Sequence, residues 1–194
     1  MKKEKKRERR QLETVLSAAM ASGEMLEYRT CTEPDERHFG YVFGLTDQFV
    51  LLQAVSKSVF LDGCAVFPLR EIDRAETGTD SFLARALPLY DYFPAAPNGI
   101  VLDDWQSLLA SADAHFPLIT VHPELDRPGT CYIGRVSDFK KRSVILRKID
   151  PQAAWMEKRE AFRFKHITQV SFGGRYEAAL WRVAQSELSS SENT

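Results

Sequence analysis

The feature that most constrains this chain is an echo at a spacing of about 95 residues. Gly40 and Gly134 lie 94 apart, and Ile72 and Ile167 lie 95 apart. Around the second anchor, Phe67, Leu69, Arg70, Ile72 and Ala75 match Phe162, Phe164, Lys165, Ile167 and Val170 in order and in type. Self-similarity at a fixed period marks one structural unit built twice. A chain of 194 residues has room for two small domains, since domains commonly run about 50–200 residues. Between the copies, LPLYDYFPAAPNG carries three prolines and one glycine and cannot be regular throughout. The expected organisation is a basic arm over 1–11, a first domain over 12–87 and a Pro-rich linker over 88–101. A second domain over 102–186 and a tail over 187–194, disordered by composition, complete it.

Each half reads as a helix followed by short strands. Leu12, Val15, Leu16, Ala19 and Met20 form one apolar stripe, and Ser22-Gly23 ends that helix. MLEYRT reads as a strand, and FGYVFGL and QFVLLQAV as a pair joined around Thr46-Asp47. Asp62-Gly63 reads as a turn, CAVFPLREIDRAE as further strand, and SFLARALPLY as a short helix stopping near Pro88. In the second half, Asp103 or Asp104 caps a helix that buries Trp105, Leu108, Leu109, Ala112 and Phe116. PLITVHPE, TCYIGRVSDF and SVILRKID read as strands, AFRFKHITQVSF as a paired terminal strand segment and RYEAALWRVAQSE as a closing helix. The expected class is mainly β with flanking helices, α+β.

A helix followed by five short, bent strands resembles the Sm-like family. GYVFGLTDQFVLLQAV, residues 40–55, is similar to the family's first motif, and Asp47-Gln48-Phe49-Val50 matches the DQFV of its Hfq-type branch. Lys165-His166 is similar to the Lys-His pair with which that branch contacts uridine-rich RNA. The resemblance implies two tandem Sm-like five-stranded curved antiparallel barrels, each with an N-terminal and a trailing helix. It covers about 12–87 and 102–184, and it departs from the family in places. DQFV and Lys-His fall in different copies, Arg70-Glu71 stands at the first copy's second motif, and Val50 and Leu51 occupy the place of a base-contacting Asn. Ile167 follows His166 one residue early, and in a strand such an offset turns side chains to the other face.

Charge narrows the function classes. MKKEKKRERR carries a local +5 in a chain of net charge −1, so the body is acidic, unlike the basic body common in nucleic-acid proteins. The basic residues Lys140, Lys141, Arg142, Arg147 and Lys148 cluster around one expected hairpin. The segment lacks an apolar run of the roughly 18–20 residues a membrane span needs, and its start lacks a secretory apolar core. Cys31, Cys64 and Cys131 form neither an even set nor a CxxC pair, which points to free thiols and a cytoplasmic setting. His38, His115, His122 and His166 sit in no nucleophile or metal motif, and no Gly-rich phosphate loop occurs. The expectation is a non-enzyme with no cofactor and no metal.

Two functions remain. The first is a non-catalytic bacterial binding or adaptor protein of immunity or regulatory type, engaging a protein partner through its acidic body and open barrel edges. The alternative is an RNA-binding module using Lys165, His166, Lys140, Lys141, Arg142 and Arg70, aided by the arm from Lys2 to Arg10. No membrane partner is expected, and the chain is expected to be a monomer or homodimer. The linker rings Tyr90, Tyr92 and Phe93 are expected to tuck away rather than stand exposed.

Overall fold

The computed structural model describes residues 2–78 and 81–191, with the side chains of 2, 3, 5, 6, 81 and 187–191 outside the described set. The chain divides into two compact units, Met1–Pro97 and Asn98–Thr194. Among the described residues the class is mainly β, with ten antiparallel strands and four helices.

The first unit opens with α1, Lys2–Ser22. The basic arm is its first turns, continuous with the apolar stripe. Gly23, at φ 67°, stops the helix by donating its N–H to the Ala19 carbonyl at 2.9 Å, the left-handed glycine stop. Leu16 and Ala19 are buried and Leu12 and Val15 pack beside them, but Met20 is 41% exposed and leaves the expected stripe. Five strands follow: β1 Leu26–Thr30, β2 His38–Leu45, β3 Phe49–Ser56, β4 Phe60–Pro68 and β5 Ile72–Thr77. Their order across the sheet is β5-β1-β2-β3-β4. Leu26, Val42, Val50, Leu52, Phe67 and Ile72 meet the helix stripe in one core, the alternate residues of each strand supplying one face. A short helix, α2 Ser81–Ala86, and a 3-10 turn over Leu87–Tyr90 complete the unit.

The second unit repeats the plan. Helix α3, Trp105–His115, is capped by Asp104, whose carboxylate accepts the Ser107 N–H at 2.8 Å, and it buries Leu108, Leu109 and Ala112. Strands β6 Ile119–His122, β7 Tyr132–Lys140, β8 Ser143–Ile149, β9 Glu160–Arg163 and β10 Gln169–Phe172 stand in the order β10-β6-β7-β8-β9. This is the first unit's order, strand for strand. The registers agree as well. Gly40 faces Ala54 as Gly134 faces Lys148, and both β2 and β7 carry one extra residue, Phe43 and Ser137, against their partners. A Cβ on Gly40 would sit 2.7 Å from the Gln53 carbonyl oxygen, and one on Gly134 would sit 2.1 Å from that of Arg147. Close backbone approach therefore demands glycine in both copies. Helix α4, Arg175–Ser191, closes the unit.

Several expectations are corrected. The strands of neither unit close into a barrel: β4 and β5 lie at opposite ends of their set, as do β9 and β10. A three-residue 3-10 turn, Leu69–Glu71 or Phe164–His166, redirects the chain so that its last strand pairs with its first. AFRFKHITQVSF is thus two strands split by a turn rather than one paired segment. Asp62-Gly63 is not a hairpin turn. Gly63, at φ 68°, forms a bulge within β4, where Asp62 and Gly63 oppose Ala54 alone. The chain reverses earlier, between β3 and β4, where the Val59 N–H reaches the Ser56 carbonyl. The tail expected over 187–194 is helical through Ser191, and 192–194 lie outside the described residues. Among the described residues, no helix is long and apolar enough to cross a membrane.

Candidate functional site

In the second unit the β7–β8 hairpin turns through Lys141 and Arg142, closed by the pairing of Lys140 with Ser143. Ser143 in turn faces Arg163 at the end of β9. There the chain enters the 3-10 turn that carries Lys165 and His166. A backbone bond fastens the two loops, the Phe164 N–H donating to the Arg142 carbonyl at 3.0 Å. The Phe164 ring stacks on Trp105, with centroids 6.2 Å apart and planes within 11°. Lys140, Lys141, Arg142, Arg163 and Lys165 are all exposed, and among the described residues none has an ion-pair partner. Elsewhere in this unit Arg127 and Lys148 share Glu160, and Arg135 pairs with Asp113. The five uncompensated cations form a basic rim.

Lys165 and His166 lie in a turn, so the strand-face argument built on the early Ile167 does not apply to them. His166 is half-buried, with Nδ1 3.5 Å from an Asp126 carboxylate oxygen and no hydrogen bond completed. Arg147 lies apart from the rim, its guanidinium over the Trp155 ring. Lys148 is largely buried against Glu160 and Tyr132.

The first unit has the same staple without the charge. The Leu69 N–H donates to the Gln48 carbonyl at 2.8 Å. Its hairpin tip, however, is Thr46-Asp47-Gln48, held by the Thr46 hydroxyl, which accepts the Gln48 and Phe49 N–H groups. Arg70, the sixth expected site residue, occupies the place of Lys165, but its Nε lies 2.9 Å from Glu71. The structure therefore groups four of the six expected residues, Lys140, Lys141, Arg142 and Lys165, on one rim with the unexpected Arg163, keeps His166 half-buried beside it, and sets Arg70 on the other unit. Arg9 of the arm donates to the Asp47 carbonyl at 2.8 Å and pairs with Glu13. The side chains of Lys2, Lys3, Lys5 and Lys6 lie outside the described set.

Two features of the first unit carry no recognisable motif. Glu33, Glu36 and His38 bring their ligand atoms within 4.8 Å of one another, with His38 Nε2 3.2 Å from Glu33 and its ring stacked on Tyr28. The ExxExH spacing was visible, but it is not a spacing that marks a metal by itself. Beside it, Asp35, Glu36, Arg37, Phe39, Lys57, Phe82 and Leu83 line a groove of about 430 Å³. Of the linker rings, Tyr92 packs against the cluster of Met25, Phe39, Tyr41 and Leu87. Tyr90 and Phe93 are 66% and 65% exposed, contrary to the tucked expectation.

The thiols are poorly placed for nucleophilic work, which needs thiolate. Burial pushes Cys64 up to about 12. Cys31 and Cys131 are also raised, by burial first and then by neighbouring carboxylates, Glu71 and Asp73 for one and Glu177 and Glu124 for the other. Burial lowers His122, which favours the neutral imidazole.

Charge divides between the units in a way the whole-chain figure conceals. Residues 11–97 hold six basic and thirteen acidic side chains, a net −7, whereas 98–194 hold thirteen and twelve, a net +1. The acidic body belongs to the first unit alone. Fold and rim together describe a mainly β protein of two like-built units, the second of which gathers five unpaired cations on one rim. In comparison with known proteins, no family model, curated protein or solved structure matches this chain.

Proposed function

We propose that the protein is a non-catalytic binding module whose second unit engages an acidic protein surface through the rim of Lys140, Lys141, Arg142, Arg163 and Lys165. The observation that carries this reading is the Phe164-to-Arg142 backbone bond. It holds two basic loops together by main-chain atoms alone and leaves their side chains to a partner. Cations without internal partners favour an anionic ligand and accelerate encounter with it. We read each unit as an open member of the Sm-like group, a reading supported by the repeated strand order and register.

A second reading, RNA binding, is favoured by the Lys165-His166 pair sitting in the turn beside the hairpin tip. Single-stranded RNA is usually read by stacking bases on open rings. Among the described residues the rings nearest the rim, Phe139 and Phe164, are half-buried, and Phe164 already stacks on Trp105. This tilts the proposal toward a carboxylate-bearing partner.

Titrating the protein against a polyglutamate peptide and a uridine-rich oligonucleotide over a range of salt tests both readings. The proposal expects peptide binding that weakens with salt and falls about threefold in Lys165→Ala, the scale of one exposed charge contact. No peptide binding at low salt would sink it. Tighter oligonucleotide binding that depends on His166 would transfer the rim to RNA.

A further inference from the structure

We infer that the acidic surface met by the rim is the first unit of a second copy of this chain, giving self-association through rim-to-loop contacts. The inference rests on the rim being a contact surface, and it goes further by naming the partner. It follows from charge complementarity between the units. The rim offers five exposed cations with no partner among the described residues. The first unit, at −7 over 11–97, displays Glu33, Asp35 and Glu36 on the exposed loop between β1 and β2. Asp35 and Glu36 have no ion pair among the described residues, and Glu33 meets only His38. The carboxylates of Glu33 and Glu36 crowd within 4.8 Å of one another, a like-charge arrangement that an incoming cation relieves.

Other basic residues fit this role less well. Arg37 is paired with the buried Glu27, and Arg9 of the arm is occupied by Glu13 and the Asp47 carbonyl. The rim joins five free cations on two loops fastened by a backbone hydrogen bond. Rim and loop belong to different units, so the contact is made twice across a two-fold axis, rim to loop and loop to rim, or repeats from copy to copy as a ring or open chain.

Sedimentation over a concentration series tests the inference with the full chain. At low salt the mass rises past the 22.1 kDa monomer, and it returns to monomer at about 0.5 M salt, where exposed charges are screened within a few ångströms. Lys141→Glu/Arg142→Glu and Asp35→Lys/Glu36→Lys each stay monomeric alone, because each sets like charge against like. Mixed one to one, they reassociate. Unchanged tryptophan fluorescence in both variants confirms folding of the second unit, where Trp105, Trp155 and Trp181 all lie. A chain monomeric at every concentration overturns the inference, as does association that survives the rim reversal. Association lost on Arg7→Glu/Arg10→Glu but kept in the rim variant overturns it in favour of the arm, and association abolished by a chelator overturns it in favour of a bridging metal. A chain that stays monomeric yet binds polyglutamate through Lys165 loses only this inference, whereas a chain that does neither loses the rim as well.

Discussion

At the β2–β3 tip the first unit carries Thr46, Asp47 and Gln48; at the matching place the second carries Lys140, Lys141 and Arg142. In the following 3-10 turn, Arg70 and Glu71 neutralise one another, while Lys165 has no partner among the described residues and His166 sits beside Asp126. Deeper in the sheet, Ala54 and Ala65 of the first unit correspond to Lys148 and Glu160 of the second. There Lys148 and Arg127 converge on Glu160, with the Tyr132 and Phe162 rings beneath the cations. The ladder is common to both and the charges are not. Main-chain hydrogen bonds and glycine close approaches dictate the ladder, whereas an exposed side chain adds little to stability on its own. Charge is therefore the part of each copy free to diverge, and the part where function is to be sought.

The core should prove the most alike. Leu52→Ala and Leu146→Ala, equivalent and both fully buried, are each expected to cost about 4 kcal/mol in urea denaturation followed by circular dichroism. Losses differing by more than half would break the equivalence. The glycines sharpen it. Gly134→Ala should cost about 3 kcal/mol and Gly40→Ala about 2, because the added Cβ meets backbone oxygen at 2.1 Å in one case and 2.7 Å in the other. The reverse ranking would show that the second unit's sheet yields more readily.

The ion cluster should separate the units by pH. Burial pulls the Glu160 carboxyl upward, but hydrogen bonds from Lys148 and Arg127 outweigh it and hold the group below its ordinary 4.5. A depressed carboxyl contributes stability that is present above its unfolded value and lost as pH falls through the folded one. Acidification below about 4.5 should thus weaken the second unit, read by tryptophan fluorescence. Glu160→Gln should remove that dependence and cost about 2 kcal/mol at neutral pH by leaving Lys148 unpaired. An unaltered acid profile in the variant would sink this account. The smallest effects belong to the rims: Lys165→Ala should weaken polyanion binding about threefold, and Arg70→Ala should leave it unchanged. Equal effects would erase the functional difference between the units.

Much of the architecture was legible in the sequence, because the repeat lies in residues that the ladder requires. Gly40 and Gly134 announce the close approach, and Leu108, Leu109 and Ala112 announce the buried face of α3. What escaped was whatever depends on where strands stop. Gly63 reads equally well as a turn or a bulge, and only the pairing of Ala54 decides. Lys165 and His166 sit in a run that looks extended, and the short turn there follows from β10 pairing with β6 rather than from any local signal. The Arg127–Lys148–Glu160 cluster draws on three separate segments, so no spacing rule foretells it. The split of charge between the units was available in the sequence once it was divided at residue 97.

The staple between hairpin tip and 3-10 turn has a consequence for how this protein can change. Both of its bonds, Leu69 to Gln48 and Phe164 to Arg142, join main-chain atoms, so the geometry is blind to which residues stand there. An acidic, a basic or an aromatic tip can be written into the same frame without rewriting the frame. Each unit is in this sense a ready-made graft site, and a library confined to 47–48 and 140–142, which spares the Thr46 hydroxyl and its two bonds, would explore new recognition while leaving the staple in place.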